Sequence, residues 1–250
     1  MGHVIAMAGK GGTGKTTVCA LLVRLLRDKG LGSILAVDAD PNSNLADVLG
    51  VKVKTSIGQI LDRISAHPDK IPAGMSKDRF IEYEVQTSVS EGEGFDCLTM
   101  GRPEGPGCYC YVNNVLRNVM AKLIKDYDFV LIDNEAGLEH LSRRTTRSAD
   151  ALVVISDQSK VGLRAAQRII DLTEELKIQT KKSFLIINRS DKSASDDESG
   201  EVKAEYLGNL SFDGAIEKLS ANGGSLMNLA GDTASLRKLT TIGERIWQRN

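Results

Sequence analysis

Cysteine is scarce in this chain, with four in 250 residues: Cys19, Cys97, Cys108 and Cys110. Four are too few for a disulfide scaffold, so the fold must rest on a hydrophobic core. A chain of this length can build one as a single domain spanning 1–250. An excess of either charge is also missing. The formal net charge is −1, which gives no reason to expect nucleic acid or an anionic membrane as the main partner. No apolar run approaches the roughly 20 residues that span a bilayer. The chain runs straight into an apolar strand pattern, with no sign of a signal peptide. Met1-Gly2 matches the start of a myristoylation signal, but that pattern asks for Ser or Thr where the chain has Ala6.

What the chain does have is Gly9-Lys10-Gly11-Gly12-Thr13-Gly14-Lys15-Thr16, which fits the P-loop spacing. An apolar stretch, His3 to Met7, precedes it and a helical pattern from Thr17 onward follows it. A nucleoside phosphate is therefore expected at a helix N-terminus, where free backbone N–H groups and the helix dipole favour negative charge. Lys15 is expected to reach the β- and γ-phosphates of ATP or ADP, and Thr16 to offer its hydroxyl to Mg²⁺. Thr17 continues the same turn. Lys10 is an unusual second lysine just inside the loop. ATP and reduced thiols coexist in the cytoplasm, which is the expected compartment.

Continuous apolar runs at Val4–Met7, Ile34–Val37, Asp96–Met100, Phe129–Ile132, Ala151–Ile155 and Ser183–Ile187 read as strands buried on both faces. Helical patterns fall between several of them, at Lys15–Lys29, Tyr111–Asp126, Glu139–Ser148 and Gly162–Leu176. The alternation predicts an α/β fold: one doubly wound, mostly parallel sheet flanked by helices, with ligands at the carboxyl ends of the strands. His67–Gly92 reads as a mixed surface excursion and Ser190–Glu201 as a polar acidic loop. Ala234–Asn250 places Leu236, Leu239, Ile242 and Ile246 near one helical face. That stripe suits a helix docked on the sheet; a membrane-surface helix is the alternative.

Three strand ends add to the phosphate chemistry. Phe129-Val130-Leu131-Ile132-Asp133 is an apolar strand closing on an aspartate, the Walker B pattern, and Asp133 can hold the Mg²⁺ side opposite Thr16. Asp38 and Asp40 end the strand after the P-loop helix. Asp38 is expected nearer Mg²⁺ and Asp40 to orient the attacking water, although a carboxylate-rich turn capping a helix at Asn42 or Ser43 would look the same. Asn188, followed by Arg189, ends a late strand. Its amide carries both donor and acceptor and can pair with the adenine edge.

Lys10–Thr17 (KGGTGKTT) with Val37–Pro41 (VDADP) resembles the deviant-Walker-A ATPases, which include the MinD and ParA partition ATPases, the nitrogenase iron protein and metal-centre maturation ATPases. The resemblance implies that Lys10 reaches across a homodimer interface to the partner chain's phosphates. It also implies that Asp40 positions water and that Asp38 and Asp133 serve the Mg²⁺ region.

Cys108 and Cys110 lie in a Gly- and Pro-rich loop that follows a strand end. Two thiolates at this spacing can grip one borderline metal and leave it two ligands short. A twofold dimer supplies the same pair again. Tetrahedral geometry suits Zn²⁺ and planar geometry suits Ni²⁺. Two incidental exposed thiols are the plainer reading, and a disulfide between them would be strained. Gly101–Arg117 and Asp133–Arg144 resemble the nickel-insertion ATPases of carbon monoxide dehydrogenase and acetyl-CoA synthase, the CooC/AcsF type. That resemblance implies Ni²⁺, sometimes Zn²⁺, held by Cys108 and Cys110 between subunits. The implied client is an apo carbon monoxide dehydrogenase or acetyl-CoA synthase; no nucleic acid or membrane is expected as partner. His140 reads as a structural or relay residue rather than a ligand. A positioning ATPase has no need of the cysteine pair. An iron–sulfur carrier of the nitrogenase type would want a cysteine where this chain has Ala136. An amide-forming synthetase would need a substrate pocket with no signature here.

Overall fold

The computed structural model describes residues 2–40, 44–102, 110–135, 148–191 and 202–248, with the side chains of 110–114 left aside. Eight strands form one sheet: β1 (His3–Gly9), β2 (Ile34–Ala39), β3 (Ser90–Glu91), β4 (Asp96–Thr99), β5 (Phe129–Asn134), β6 (Ser148–Ser156), β7 (Gln179–Asn188) and β8 (Glu205–Leu210). Their order is β3-β4-β2-β5-β1-β6-β7-β8. Every pairing is parallel except that of the short edge strand β3 with β4. The fold is thus the doubly wound, mostly parallel α/β sheet expected from the strand–helix alternation.

Eight helices connect or flank these strands among the described residues: α1 (Lys15–Asp28), α2 (Leu45–Leu49), α3 (Ile57–Ala66), α4 (Lys77–Ser88), α5 (Cys110–Leu123), α6 (Lys160–Glu175), α7 (Gly214–Ala221) and α8 (Ala234–Trp247). Strand side chains alternate between two apolar layers, as the pleat requires. Val4, Ala6 and Ala8 of β1 pack with α3, α4, α5 and α6. Ile5 and Met7 pack with α1, α2 and α8 on the other face. Both faces of the central strands are covered, so β1, β2 and β5 read as unbroken apolar runs.

Several expectations need correction. The stretch 67–92 is not a surface excursion alone: it holds α4, whose Ile81 and Val85 are fully buried in the core. Only two of its twelve positions are large buried apolar residues, which is too sparse to read as a helical period. Ser148, expected to end a helix, opens β6; the rest of that expected helix, 139–147, lies outside the described residues. β7 starts four residues earlier than its apolar run because its polar first half still pairs with β6. β8 has no continuous apolar run to betray it. The C-terminal helix α8 docks on the sheet, with Leu236, Leu239, Ile242 and Ile246 all buried.

Candidate functional site

The chain crosses from one side of β1 to the other within the sheet: β2 lies beyond β5 on one flank and β6 joins on the other. Ligands of open α/β sheets gather at the carboxyl end of such a switch point. Residues 9–14 lie there, between the end of β1 and the start of α1. Gly14 is the N-cap of α1, with φ +91°. No side chain caps that terminus and no acidic residue stands in its first turn. The orphan amides and the helix dipole are therefore open to an anion. Two glycines are enforced by their surroundings. A Cβ on Gly9 would stand 2.3 Å from the Ile155 carbonyl, and one on Gly14 would stand 2.4 Å from Asn188 Nδ2. A Cβ on Gly11 or Gly12 would meet nothing within 4 Å, so that side of the loop is free for a ligand.

The loop carbonyls are held from three directions. Thr13 Oγ1 donates to the Lys10 carbonyl at 2.8 Å, and the Lys15 ammonium turns back to the same oxygen at 3.4 Å. Asn188 Nδ2 donates to the Thr13 carbonyl at 2.8 Å. Arg189, whose φ of +57° lies in the left-handed region, reaches the Gly12 carbonyl at 3.5 Å. Thr13 and Lys15 are buried and Lys10 is exposed on the rim. Asn188 and Arg189, expected near a nucleotide base, thus lie directly against the P-loop, and one amide hydrogen of Asn188 is already engaged there.

Register places the carboxylates. Asp38 of β2 stands opposite Asp133 of β5, and Asp133 opposite Met7 of β1. The Thr16 hydroxyl faces the Asp133 carboxylate closely enough to favour its charged form. Asp133 Oδ1 is buried without a hydrogen-bond partner among the described residues. Burial pushes the Asp133 carboxyl up to about 6, against the lowering effect of Thr16 and Lys15. A hydroxyl beside a carboxylate oxygen with spare acceptor capacity is a hard donor pair of the kind Mg²⁺ takes. Asp38 is engaged differently. Its Oδ1 accepts from the Asp40 amide at 3.2 Å and its Oδ2 from the Leu45 amide at 2.9 Å. It therefore caps α2 from a distance, close to the capping alternative weighed for this segment; Asn42 and Ser43 themselves lie outside the described residues. Burial raises its carboxyl to about 7, helped by the charge on Asp133. Asp40 is half-buried at the strand end.

One residue escaped the sequence reading. Asn134 is buried beside Asp133 and donates from Nδ2 to the Met7 carbonyl at 2.9 Å, and its Oδ1 has no partner among the described residues. A polar residue straight after a Walker B aspartate was the available signal.

Cys108 and His140 lie outside the described residues, as does most of the 190–201 loop; of Cys110 only its place at the start of α5 is described. Among the described residues no group of three or more metal-ligating side chains occurs, and no helix is long and apolar enough to cross a membrane. The cysteine-bearing segment leaves β4 through Met100 and Gly101. Met100 donates its amide to the Asp38 carbonyl and accepts from the Gly58 amide, both at 2.8 Å.

Comparison with known proteins fits this geometry. Residues 2–186 match the AAA domain family. An uncharacterized ATP-binding protein of Methanocaldococcus jannaschii is 42% identical, across 97% of this chain and 98% of that protein. The carbon monoxide dehydrogenase accessory protein CooC of Rhodospirillum rubrum is 31% identical, across 90% of each. Among solved structures, the septum site-determining protein MinD of Pyrococcus horikoshii, complexed with Mg-ADP, superposes with a TM-score of 0.71 at 20% identity, covering 99% of this chain and 97% of that one. The chain belongs to the AAA domain family and is a P-loop ATPase, with the fold seen in MinD.

Proposed function

We propose that this ATPase is a nickel metallochaperone. In this reading it hydrolyses ATP as a homodimer and assists nickel insertion into an apo carbon monoxide dehydrogenase or acetyl-CoA synthase. The observation that carries the proposal is the Cys108-x-Cys110 pair in a chain 31% identical, over nine tenths of its length, to the accessory protein CooC. Zn²⁺ is the competing cargo for the same thiolates.

The site geometry supports the driving half. The glycines at 9, 11, 12 and 14, with the amides opening α1 at Lys15, Thr16 and Thr17, would cradle the phosphates. Lys15 would exchange the Lys10 carbonyl for a phosphate oxygen. Thr16 and Asp133 would hold Mg²⁺, which when bound neutralises charge on the β- and γ-phosphates. Asp40 would orient water, while Asp38 holds the Asp40 and Leu45 amides. Thr13, Asn188 and Arg189 would hold the loop and line the base side. Lys10 is exposed at the rim, free to serve a second chain's phosphates in the manner of a finger supplied in trans.

The test is equilibrium dialysis of the full chain against Ni²⁺ and Zn²⁺, with and without an ATP analogue. One nickel per two chains, sensitive to nucleotide, is expected. Joint replacement Cys108→Ser and Cys110→Ser should remove it and leave ATP binding intact. Unchanged nickel affinity in that double variant defeats the proposal.

A second reading, a positioning or partition ATPase, is favoured by 29% identity to the MinD of Thermotoga maritima over 76% of this chain. Nucleotide-dependent binding to vesicles or DNA, with no bound nickel, would select it. The apolar face of α8 is spent on the sheet and offers no stripe to a membrane.

A further inference from the structure

The end of the sheet remote from the P-loop carries a cavity of about 920 Å³. β1 separates the two ends by seven residues, about 20 Å at strand rise. The cavity arises from register. β6 and β7 pair from Ser148 and Gln179 onward, but β1 joins β6 only at Ile5 and Ala151. The ladder between β1 and β6 is therefore open over the starts of these strands, beside the paired starts of β6 and β7. The end of α5 with the turn after it closes one side, and the end of α8 closes the other.

The lining has two characters. Its floor is apolar and buried, from Val4, Ile124, Ala149 and Ile246. Its rim is basic, with Lys125, Lys181 and Lys182 against one carboxylate, Asp150. That carboxylate is already engaged: its Oδ2 accepts from the Val4 amide at 2.8 Å and its Oδ1 pairs with Lys181 Nζ at 2.6 Å. Burial alone would raise the Asp150 carboxyl, yet these donors hold it below the usual range. Lys125 makes no ion pair with the described residues. Lys182 has an interaction of its own, so Lys125 is the cation the walls keep beside apolar surface, in a volume suited to a small organic ligand.

We propose that this cavity is a second binding site, for a small carboxylate with an apolar body. The apolar part would lie on Val4, Ala149 and Ile246, and the carboxylate would meet the Lys125 side of the rim. An inorganic anion would leave the floor wet, and a cation would face the lysines. The site is separate from the phosphate cradle and does not rest on the nickel reading.

Calorimetric titration of the full chain tests this, using octanoate, 1-octanol and inorganic phosphate as probes. Octanoate is expected to bind at one site per chain, octanol at least about tenfold more weakly, and phosphate not at all in this cavity. Lys125→Glu should weaken octanoate about tenfold. Ala121→Trp, placed on an exposed lining position of α5, should abolish binding by filling the space. Both variants should bind Mg·ADP as the parent does, which reports that they are folded. Absence of saturable octanoate binding overturns the proposal. So does equal binding of octanol, or octanoate binding that survives both substitutions unchanged.

Discussion

Replacing Asp38 by asparagine should invert the pH dependence of relative stability, and the size follows from its burial. The carboxyl is raised from the ordinary 3.8 to about 7, chiefly by desolvation and further by Asp133. The native chain therefore binds this proton more tightly than the unfolded chain. Stability from this group is complete below about pH 4 and is lost as pH rises toward about 7. At roughly 1.4 kcal/mol per tenfold difference, the change is about 4 kcal/mol. The substituted carboxamide does not titrate. Its single acceptor oxygen also leaves either the Asp40 or the Leu45 amide unpaired, at about 1–3 kcal/mol independent of pH. The Asp38→Asn variant should thus be less stable than the parent at about pH 4 and match or exceed it at about pH 8. Urea unfolding followed by the fluorescence of Trp247, without nucleotide or Mg²⁺, measures both curves. A difference that stays flat across that range, or falls with pH, would refute the desolvation argument.

Other substitutions test separate parts. Gly14→Ala forces a side chain into φ +91° and against Asn188 Nδ2; the left-handed strain alone is about 1–2 kcal/mol. A Tm lowered by roughly 2–8 °C and weakened ATP binding are expected by thermal shift and nucleotide titration. Lys15→Ala should abolish phosphate release, while Lys10→Ala should keep nucleotide binding and lose turnover; a fully active monomeric Lys10→Ala protein would dispose of the trans-lysine role. Ile81→Ala should lower unfolding free energy by about 2–5 kcal/mol with ATP affinity unchanged, since Ile81 is fully buried on the layer opposite α1.

The centre of the fold was legible because each central strand is covered on both faces. β1, β2 and β5 are continuous apolar runs, and the P-loop and Asp133 sit at their ends. The edges were not. Glu205–Leu210 pairs on one side only and carries Gly208 at φ +139°, so β8 has neither a continuous run nor a clean alternation. Asp150 reads as a polar break before an apolar run, yet it lies inside β6 because the Val4 amide and Lys181 satisfy it. The cap role of Asp38 was hidden for a similar reason. Its partners are the backbone amides of Asp40 and Leu45, and amides leave no trace in side-chain identity. Asn188 and Arg189 were found as a motif, but their grip on the P-loop carbonyls depends on β7 ending beside β1's loop, which spacing along the chain does not encode.

That grip has a consequence for how the protein is made. The bond from Asn188 to the Thr13 carbonyl joins residues 175 positions apart, and the one from Arg189 to Gly12 joins residues 177 apart. Such contacts form late, after the long intervening chain has closed. A chain still emerging from the ribosome, or cut short before β7, would carry the whole P-loop sequence and lack the side chains that fix its shape. Nucleotide capture then becomes a mark of a finished sheet rather than of a finished motif.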